Sequence, residues 1–471
     1  MIPKDTIVAL ATPSGSGAIA VIRVSGKDAI TLVAQVFQSI HNKDLKTVKT
    51  HTIHLGYIID KQSTIDKVLL SVFKGPNSYT AENIVEISCH GSPYIQQQII
   101  QLLVRKGCRT ANPGEFTLRA FLNGKMDLSQ AEAVADLIAS ENEATHKIAM
   151  QQMRGGFSNQ IKLLREELLN FASLIELELD FSEEDVEFAD RTQFNNLLFE
   201  IEETLKTLID SFATGNVIKK GIPITIVGAP NVGKSTLLNA LLNEDRAIVS
   251  EIAGTTRDTI EDEITIEGIG FRFIDTAGIR ETADTVERIG ISKTYEKIEQ
   301  AEVVLVLVPS DGLLADKDKY FKEIKLIHSK YPSKPILLIF NKVDLLSTAQ
   351  QEVLKTLREE AVAQLPDIKV LLVSAKSGLG VDVLKSTLLS FINTGLLRNN
   401  ETIVTNSRHY NALLQSLEEI KKVQLGLQDE ISSDLMAIDI RQALFHLGEI
   451  TGEITTDDLL GNIFANFCIG K

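Results

Sequence analysis

Gly228-Ala229-Pro230-Asn231-Val232-Gly233-Lys234-Ser235 follows the apolar run Pro223-Ile224-Thr225-Ile226-Val227 and leads into Thr236-Leu237-Leu238-Asn239-Ala240-Leu241-Leu242. The order is strand, glycine-rich loop, helix, with the spacing G-x-x-x-x-G-K-S. Glycines let the backbone wrap a phosphate chain and point its N–H groups inward. Lys234 supplies a point charge for the outer phosphates, and the Ser235 hydroxyl suits a magnesium ion. A plain glycine-rich strand-to-helix turn is the competing reading, and the full eight-residue pattern in this context argues against it. The loop predicts a bound nucleotide but no task.

Working outward, residues 221–393 alternate strand-like and helical segments. The strand-like runs are Ile224–Val227, Glu263–Ile266, Phe271–Ile274, Val303–Val308, Ile336–Phe340 and Lys369–Val373. Alternation of this kind predicts a Ras-like, doubly wound α/β sheet, whose ligands bind beyond the carboxyl ends of the strands. Further motifs fall at those ends. Asp275-Thr276-Ala277-Gly278 can reach magnesium through water and offer an N–H to the γ-phosphate. Asn341-Lys342-Val343-Asp344 places a carboxylate that can accept from both N1–H and the 2-amino group of guanine. Ser374-Ala375-Lys376 can buttress the base. Gly254-Thr255-Thr256-Arg257 sits where a switch loop belongs, with Thr256 as a second magnesium ligand. Taken in order, the set resembles the translation-factor-like GTPases. Ile279 stands where a Ras-like protein orients water with glutamine. No arginine finger can be assigned, although Arg257, Arg280 and Arg288 are all near enough in sequence to be candidates.

The 471 residues exceed one core and predict two to four domains. Net charge is −15, which weighs against a generally basic nucleic-acid coat. Cys89, Cys108 and Cys468 are too far apart for a zinc or disulfide framework, which suits a reducing, cytoplasmic setting. The opening residues lack a signal-peptide pattern, and no apolar run is long enough for a membrane span.

Residues 1–120 read as mixed strands and helices, with strands near Thr6–Leu10, Ala18–Ile22, Val68–Phe73 and Ile84–Ile87 and a helix over Ile95–Val104. Arg23 and Glu86 are charges inside strand-like runs, and on the residues alone each reads first as an outward-facing residue on an alternating strand. His90 reads as a structural histidine. Residues 121–220 and 394–471 are helical in pattern. The simplest organisation is a helical domain in two parts, interrupted by the nucleotide domain.

These residues, with Val286-Glu287-Arg288-Ile289-Gly290, Pro113–Lys125 and the terminal Phe467-Cys468-Ile469-Gly470-Lys471, resemble the MnmE (TrmE) family of tRNA-modifying GTPases along the whole chain. The resemblance implies an N-terminal α+β domain that binds a methylene- or formyl-tetrahydrofolate and forms a homodimer. It implies a discontinuous helical domain with an inserted G domain, and a flavoprotein partner of the MnmG type. Together these install an aminomethyl or carboxymethylaminomethyl group at C5 of the tRNA wobble uridine. Folate contacts are implied at Arg23, Glu86, Lys125 and Lys471, with Cys468 in the site and its role open.

For GTP, the resemblance implies contacts from Asn231, Val232, Gly233, Lys234, Ser235 and Thr236. It adds Ser250, Glu251, Ile252, Ala253, Gly254, Thr255 and Thr256, then Asp275, Thr276, Ala277 and Gly278. On the base side it implies Asn341, Lys342, Asp344, Ser374, Ala375 and Lys376. A potassium ion is implied on Asn231, Ser250, Ile252 and Thr255, and magnesium on Ser235 and Thr256. Glu287 is implied to hold the attacking water. A ribosome-assembly GTPase is the alternative; it would need a basic RNA-binding module that the acidic composition does not suggest.

Overall fold

The computed structural model describes residues 5–180, 191–244, 262–274, 295–391, 402–429, 431–465 and 467–470. They pack as two compact units. One comprises Met1–Ala139, Ala149–Glu203 and Asn411–Lys471; the other comprises Ser140–Ile148 and Thr204–Tyr410.

The first unit contains a seven-stranded sheet. Its strands are β1 (Ile7–Leu10), β2 (Ile19–Ser25), β3 (Phe37–Ser39), β4 (Thr52–Asp60), β5 (Ser63–Phe73), β6 (Ile84–His90) and β7 (Arg109–Thr110). Their order is β3-β4-β5-β6-β2-β1-β7, antiparallel except where β7 joins β1. Alternation decides the two faces. Ile22, Val24, Val68, Leu70, Val72, Val85 and Ile87 pack against Ile30, Val33, Ile99 and Leu103 from helices Ala29–Ala34 and Pro93–Arg105. The opposite face carries the cross-strand row Ile53–Ser71–Glu86–Arg23–Ala9.

A charged knot closes the base of this unit. Arg119, 1% exposed, donates to Asp5, Glu82 and Glu115, while Arg109 donates to Asp5 and Glu115. Burial works to raise the Glu115 carboxyl, but the hydrogen bonds from Arg109, Asn112 N–H and Arg119 win and lower it. The hydrogen bond from Arg109 is the main cause that lowers Asp5.

The flanking helices of the same unit are amphipathic. Helix Gly156–Asp180 buries Phe157, Ile161, Leu164, Leu168, Ala172 and Ile175, an apolar stripe at helical spacing. Leu163 and Leu169, although apolar and on the same helix, are 59% and 51% exposed. Helix Ser433–Thr451 packs on it, with Arg165 Nε donating to Leu444 O at 3.2 Å. Residues far apart on either side of the nucleotide-binding stretch thus share one core.

The second unit holds a six-stranded sheet: β8 (Ile222–Val227), β9 (Asp262–Ile266), β10 (Ile269–Phe273), β11 (Val303–Pro309), β12 (Ile336–Asn341) and β13 (Lys369–Leu372). The order is β13-β12-β11-β8-β10-β9. All pairings are parallel except the β9–β10 hairpin, whose turn uses positive φ at Glu267 and Gly268. Every residue from Val303 to Val308 is buried, as a central parallel strand requires. Val303, Leu305 and Leu307 face helices Lys234–Glu244 and Val381–Ser390. Val304, Val306 and Val308 face helices Lys317–Lys330 and Thr348–Gln364. The carboxyl ends of β8, β12 and β13 lead into the loops expected to hold a nucleotide.

Candidate functional site

The loop after β8 turns through Asn231 at φ 62° and Gly233 at φ 100°, and the helix begins at Lys234. Positive φ is cheap at glycine and tolerated at asparagine, whose short amide can bond locally. A Cβ at Gly233 would collide with Asn341 Nδ2. One at Gly228 would lie 2.5 Å from Leu307 O, so both glycines are fixed by close approach. Lys234 Nζ donates to Gly228 O at 2.6 Å. Burial, then the charge of Lys297, lowers the Lys234 ammonium below the usual lysine value. A desolvated cation of this kind gains most from an anion placed beside it.

Asn341, 1% exposed at the end of β12, ties three loops together. Its Nδ2 donates to Val232 O at 2.8 Å, its Oδ1 accepts from Ala375 N at 3.1 Å, and its carbonyl accepts from Ser310 Oγ at 2.7 Å. Lys342, at φ 66°, donates through Nζ to Asn231 O at 2.6 Å. Asp344 is exposed, and its Oδ1 accepts from the buried Ser374 Oγ at 2.6 Å. That bond aims the carboxylate outward with its second oxygen free of any hydrogen bond among the described residues. Val232 is buried, Ser235 lies in the first helical turn, and Thr236 and Lys376 are exposed. The Asn231 side-chain amide is exposed and bonds no described residue.

Ser250, Glu251, Ile252, Ala253, Gly254, Thr255, Thr256, Asp275, Thr276, Ala277, Gly278, Glu287 and Lys471 lie outside the described residues.

The first unit gathers a second cluster. Arg23 Nε bonds Glu86 Oε1 at 2.9 Å, and its NH1 donates to Gly470 O at 3.4 Å. The guanidinium lies 5.4 Å from the Tyr79 ring centroid and 5.6 Å from that of Phe116. Gly470, at φ 95°, presses against Leu10, where a Cβ would collide with the Leu10 carbonyl. Gly114 N donates to Cys468 O at 3.4 Å, so the exposed Cys468 shares this neighbourhood. Lys125 is exposed, with its N–H on Ala120 O at 2.9 Å, and is not joined to Arg23 or Glu86 by a hydrogen bond. His90 Nδ1 pairs with the buried Asp66 at 2.7 Å, and no metal-binding cluster of His, Cys, Asp or Glu occurs among the described residues. Sequence reasoning missed Ser310 and Tyr79, and took in Phe116 only as part of the Pro113–Lys125 stretch. Each acts through a long-range contact with no local spacing to mark it.

The phosphate loop, the Asn341 hub and the outward Asp344 on a doubly wound sheet define a P-loop nucleotide-binding protein of the GTPase class. Residues 6–125 match the family model described as GTP-binding protein TrmE N-terminus, and residues 128–468 match that of the MnmE helical domain. The tRNA modification GTPase MnmE of Flavobacterium johnsoniae is 68% identical over 471 residues, covering 100% of both chains. That of Christiangramia forsetii is 67% identical, covering 99% of each. The chain therefore belongs to the MnmE family of tRNA modification GTPases. Among solved structures, the FeoB G-domain of Methanococcus jannaschii is 23% identical, with a TM-score of 0.25, covering 36% of this chain and 98% of that one. A likeness so slight adds nothing to the assignment. No helix among the described residues is long and apolar enough to cross a membrane.

Proposed function

We propose that this chain is a potassium-stimulated GTPase that works as a homodimer with an MnmG-type flavoprotein. In this reading the pair places an aminomethyl or carboxymethylaminomethyl group at C5 of the tRNA wobble uridine, in the cytoplasm. The observation that carries the nucleotide half is the Asn341 hub. It fixes the base-side loops and the phosphate loop as one hydrogen-bonded unit, with Asp344 aimed outward to read guanine. Residues 221–393 serve as the G domain, inserted between helical parts 121–220 and 394–471, with 1–120 as the folate and dimerisation domain.

The chain's own groups divide the work. The N–H groups from Asn231 to Thr236 receive phosphate oxygens at the helix start, where the helix dipole favours anions. Lys234 neutralises charge on the outer phosphates, and Ser235 with Thr256 would hold magnesium, which offsets charge on the phosphates when bound. The exposed Asn231 amide oxygen suits a potassium ion completed by Ser250, Ile252 and Thr255. Glu287 orients the water that Ile279 cannot. In the first unit, Arg23, Glu86, Lys125 and Lys471 would contact a tetrahydrofolate, a cation being able to pair with its carboxylate tail and a carboxylate to accept from its pterin ring. Cys468 belongs to the same site in this reading, in a role left unassigned. The deciding experiment is hydrolysis of GTP against ATP by the purified chain in potassium and in sodium. ATP turnover equal to that of GTP would overturn the guanine reading.

A further inference from the structure

The segment from Ile40 to Ile59 contains one carboxylate, Asp44, and three lysines, Lys43, Lys46 and Lys49. All three lysines are exposed and none has an ion pair among the described residues. The segment is nevertheless held firmly. Leu45 is 2% exposed, and Leu45 and Val48 both pack into the core of the first unit. Asp44 is engaged in the turn: its Oδ1 accepts from Lys46 N at 3.0 Å and its carbonyl accepts from Thr47 Oγ1 at 3.0 Å. Thr52 Oγ1 donates to Lys49 O at 2.7 Å. Lys74 approaches from the end of β5, donating to Lys46 O at 3.2 Å. Asn83 then links the next residue, Gly75, to the carbonyl of Lys27. A pinned backbone thus displays a cluster of cations, with Asp44 engaged in the turn and Asp28 3.9 Å from Lys27.

The charge of the whole chain makes this cluster unusual. Residues 5–125 hold thirteen Lys and Arg against eight Asp and Glu, within a chain of net charge −15. A solubilising face needs no such segregation, whereas a polyanion partner does.

We propose that Lys43, Lys46 and Lys49, bordered by Lys27 and Lys74, form the surface on which the phosphate backbone of the RNA substrate docks. This rests on the reading that the chain acts on tRNA. The test measures RNA binding alone, so it stands or falls separately from GTP hydrolysis and folate binding.

The probe is unfractionated tRNA, titrated against the full-length chain between about 50 and 200 mM salt. The triple variant Lys43→Glu/Lys46→Glu/Lys49→Glu is expected to bind at least about tenfold more weakly. Its log-affinity against log-salt slope should be shallower by about three, one per phosphate contact removed. Lys322→Glu, an exposed lysine of the other unit, should change neither. Should the glutamate variant fail to fold, Lys43→Gln/Lys46→Gln/Lys49→Gln carries the same expectation with a smaller loss. Unchanged affinity and slope in a folded triple variant would overturn the proposal. So would the absence of tRNA binding by the unsubstituted chain at the lowest salt, or binding to anionic vesicles with none to tRNA.

Discussion

Asn341 Nδ2 donates to the Val232 carbonyl across 2.8 Å, so one buried amide couples the guanine side of the site to its phosphate side. Its Oδ1 meanwhile holds Ala375 N. Asn341→Ala leaves both of those groups without a partner. Each buried loss costs about 1–3 kcal/mol. GDP affinity should therefore fall by up to roughly 1.5 to 4 orders of magnitude, with little change in the far-UV spectrum. Isothermal titration with GDP checks it, and affinity within a factor of two of the unsubstituted chain would refute the hub.

Asp344 tests base identity separately. A carboxylate accepts from both guanine donors, but an amide presents one donor and one acceptor. Asp344→Asn should weaken GTP binding by roughly a hundredfold and favour xanthosine triphosphate, whose 2-oxo group accepts instead. Competition between the two nucleotides reads the switch directly. Preference for GTP in the variant would argue that base recognition lies elsewhere.

How much of this was legible in the sequence follows contact range. The phosphate loop was legible because its residues are contiguous and its glycines are demanded by local backbone geometry. Arg23 was ambiguous for a physical reason: its partner Glu86 lies 63 positions away and meets it only through the β2–β6 register. Strand β4 escaped notice because His54 and Gly56 occupy inward positions, while Ile53, 68% exposed, sits on the open face. Gly56 is required there, since a Cβ would collide with Gln38 O and the Phe37 ring. Periodicity reports alternation of apolar residues, so a strand with its polarity inverted gives no clear signal.

The charged knot around Arg119 predicts an acid-sensitive fold. The Asp5 and Glu115 carboxyls are held below their ordinary values of 3.8 and 4.5. A depressed carboxyl contributes stability that is full above its unfolded value and is lost as pH falls through its folded value. Thermal stability of the first unit should therefore decline as pH drops below about 4. Arg119→Met removes the buried cation, takes from Glu82 its guanidinium partner and leaves Asp5 and Glu115 to Arg109 alone. It should cost about 3–5 kcal/mol at neutral pH and flatten the acid limb, measured by denaturant unfolding across pH. A variant as stable as the parent at neutral pH would show the knot to be dispensable.

The three thiols should separate cleanly by reactivity. Burial pushes Cys89 and Cys108 up to about 11, whereas Cys468 is exposed. Near pH 8 only about one in a thousand of each buried thiol is thiolate, and burial also blocks access. Brief alkylation of the folded chain should add one adduct, at Cys468, by intact mass and peptide mapping. Cys468→Ser should abolish that adduct and leave GTP turnover unchanged; early labelling of Cys89 or Cys108 would contradict their burial.

Arg23 is the sharpest test of the one-carbon half of the reading. Its guanidinium sits between the Tyr79 and Phe116 rings, bonded to Glu86 and to Gly470 O, which restricts where it can point. A charge-assisted bond from such a group is worth about 1.5–3 kcal/mol, so Arg23→Ala should weaken binding of formyl-tetrahydrofolate roughly 10- to 100-fold. Arg23→Lys should recover only part of it, because an ammonium cannot bridge two acceptors in the fixed fork of a guanidinium. GTP hydrolysis should be unaffected in both, since the residue belongs to the other compact unit. Equal folate affinity in all three proteins, measured by equilibrium dialysis, would remove Arg23 from the site and leave its pairing with Glu86 as sheet architecture alone.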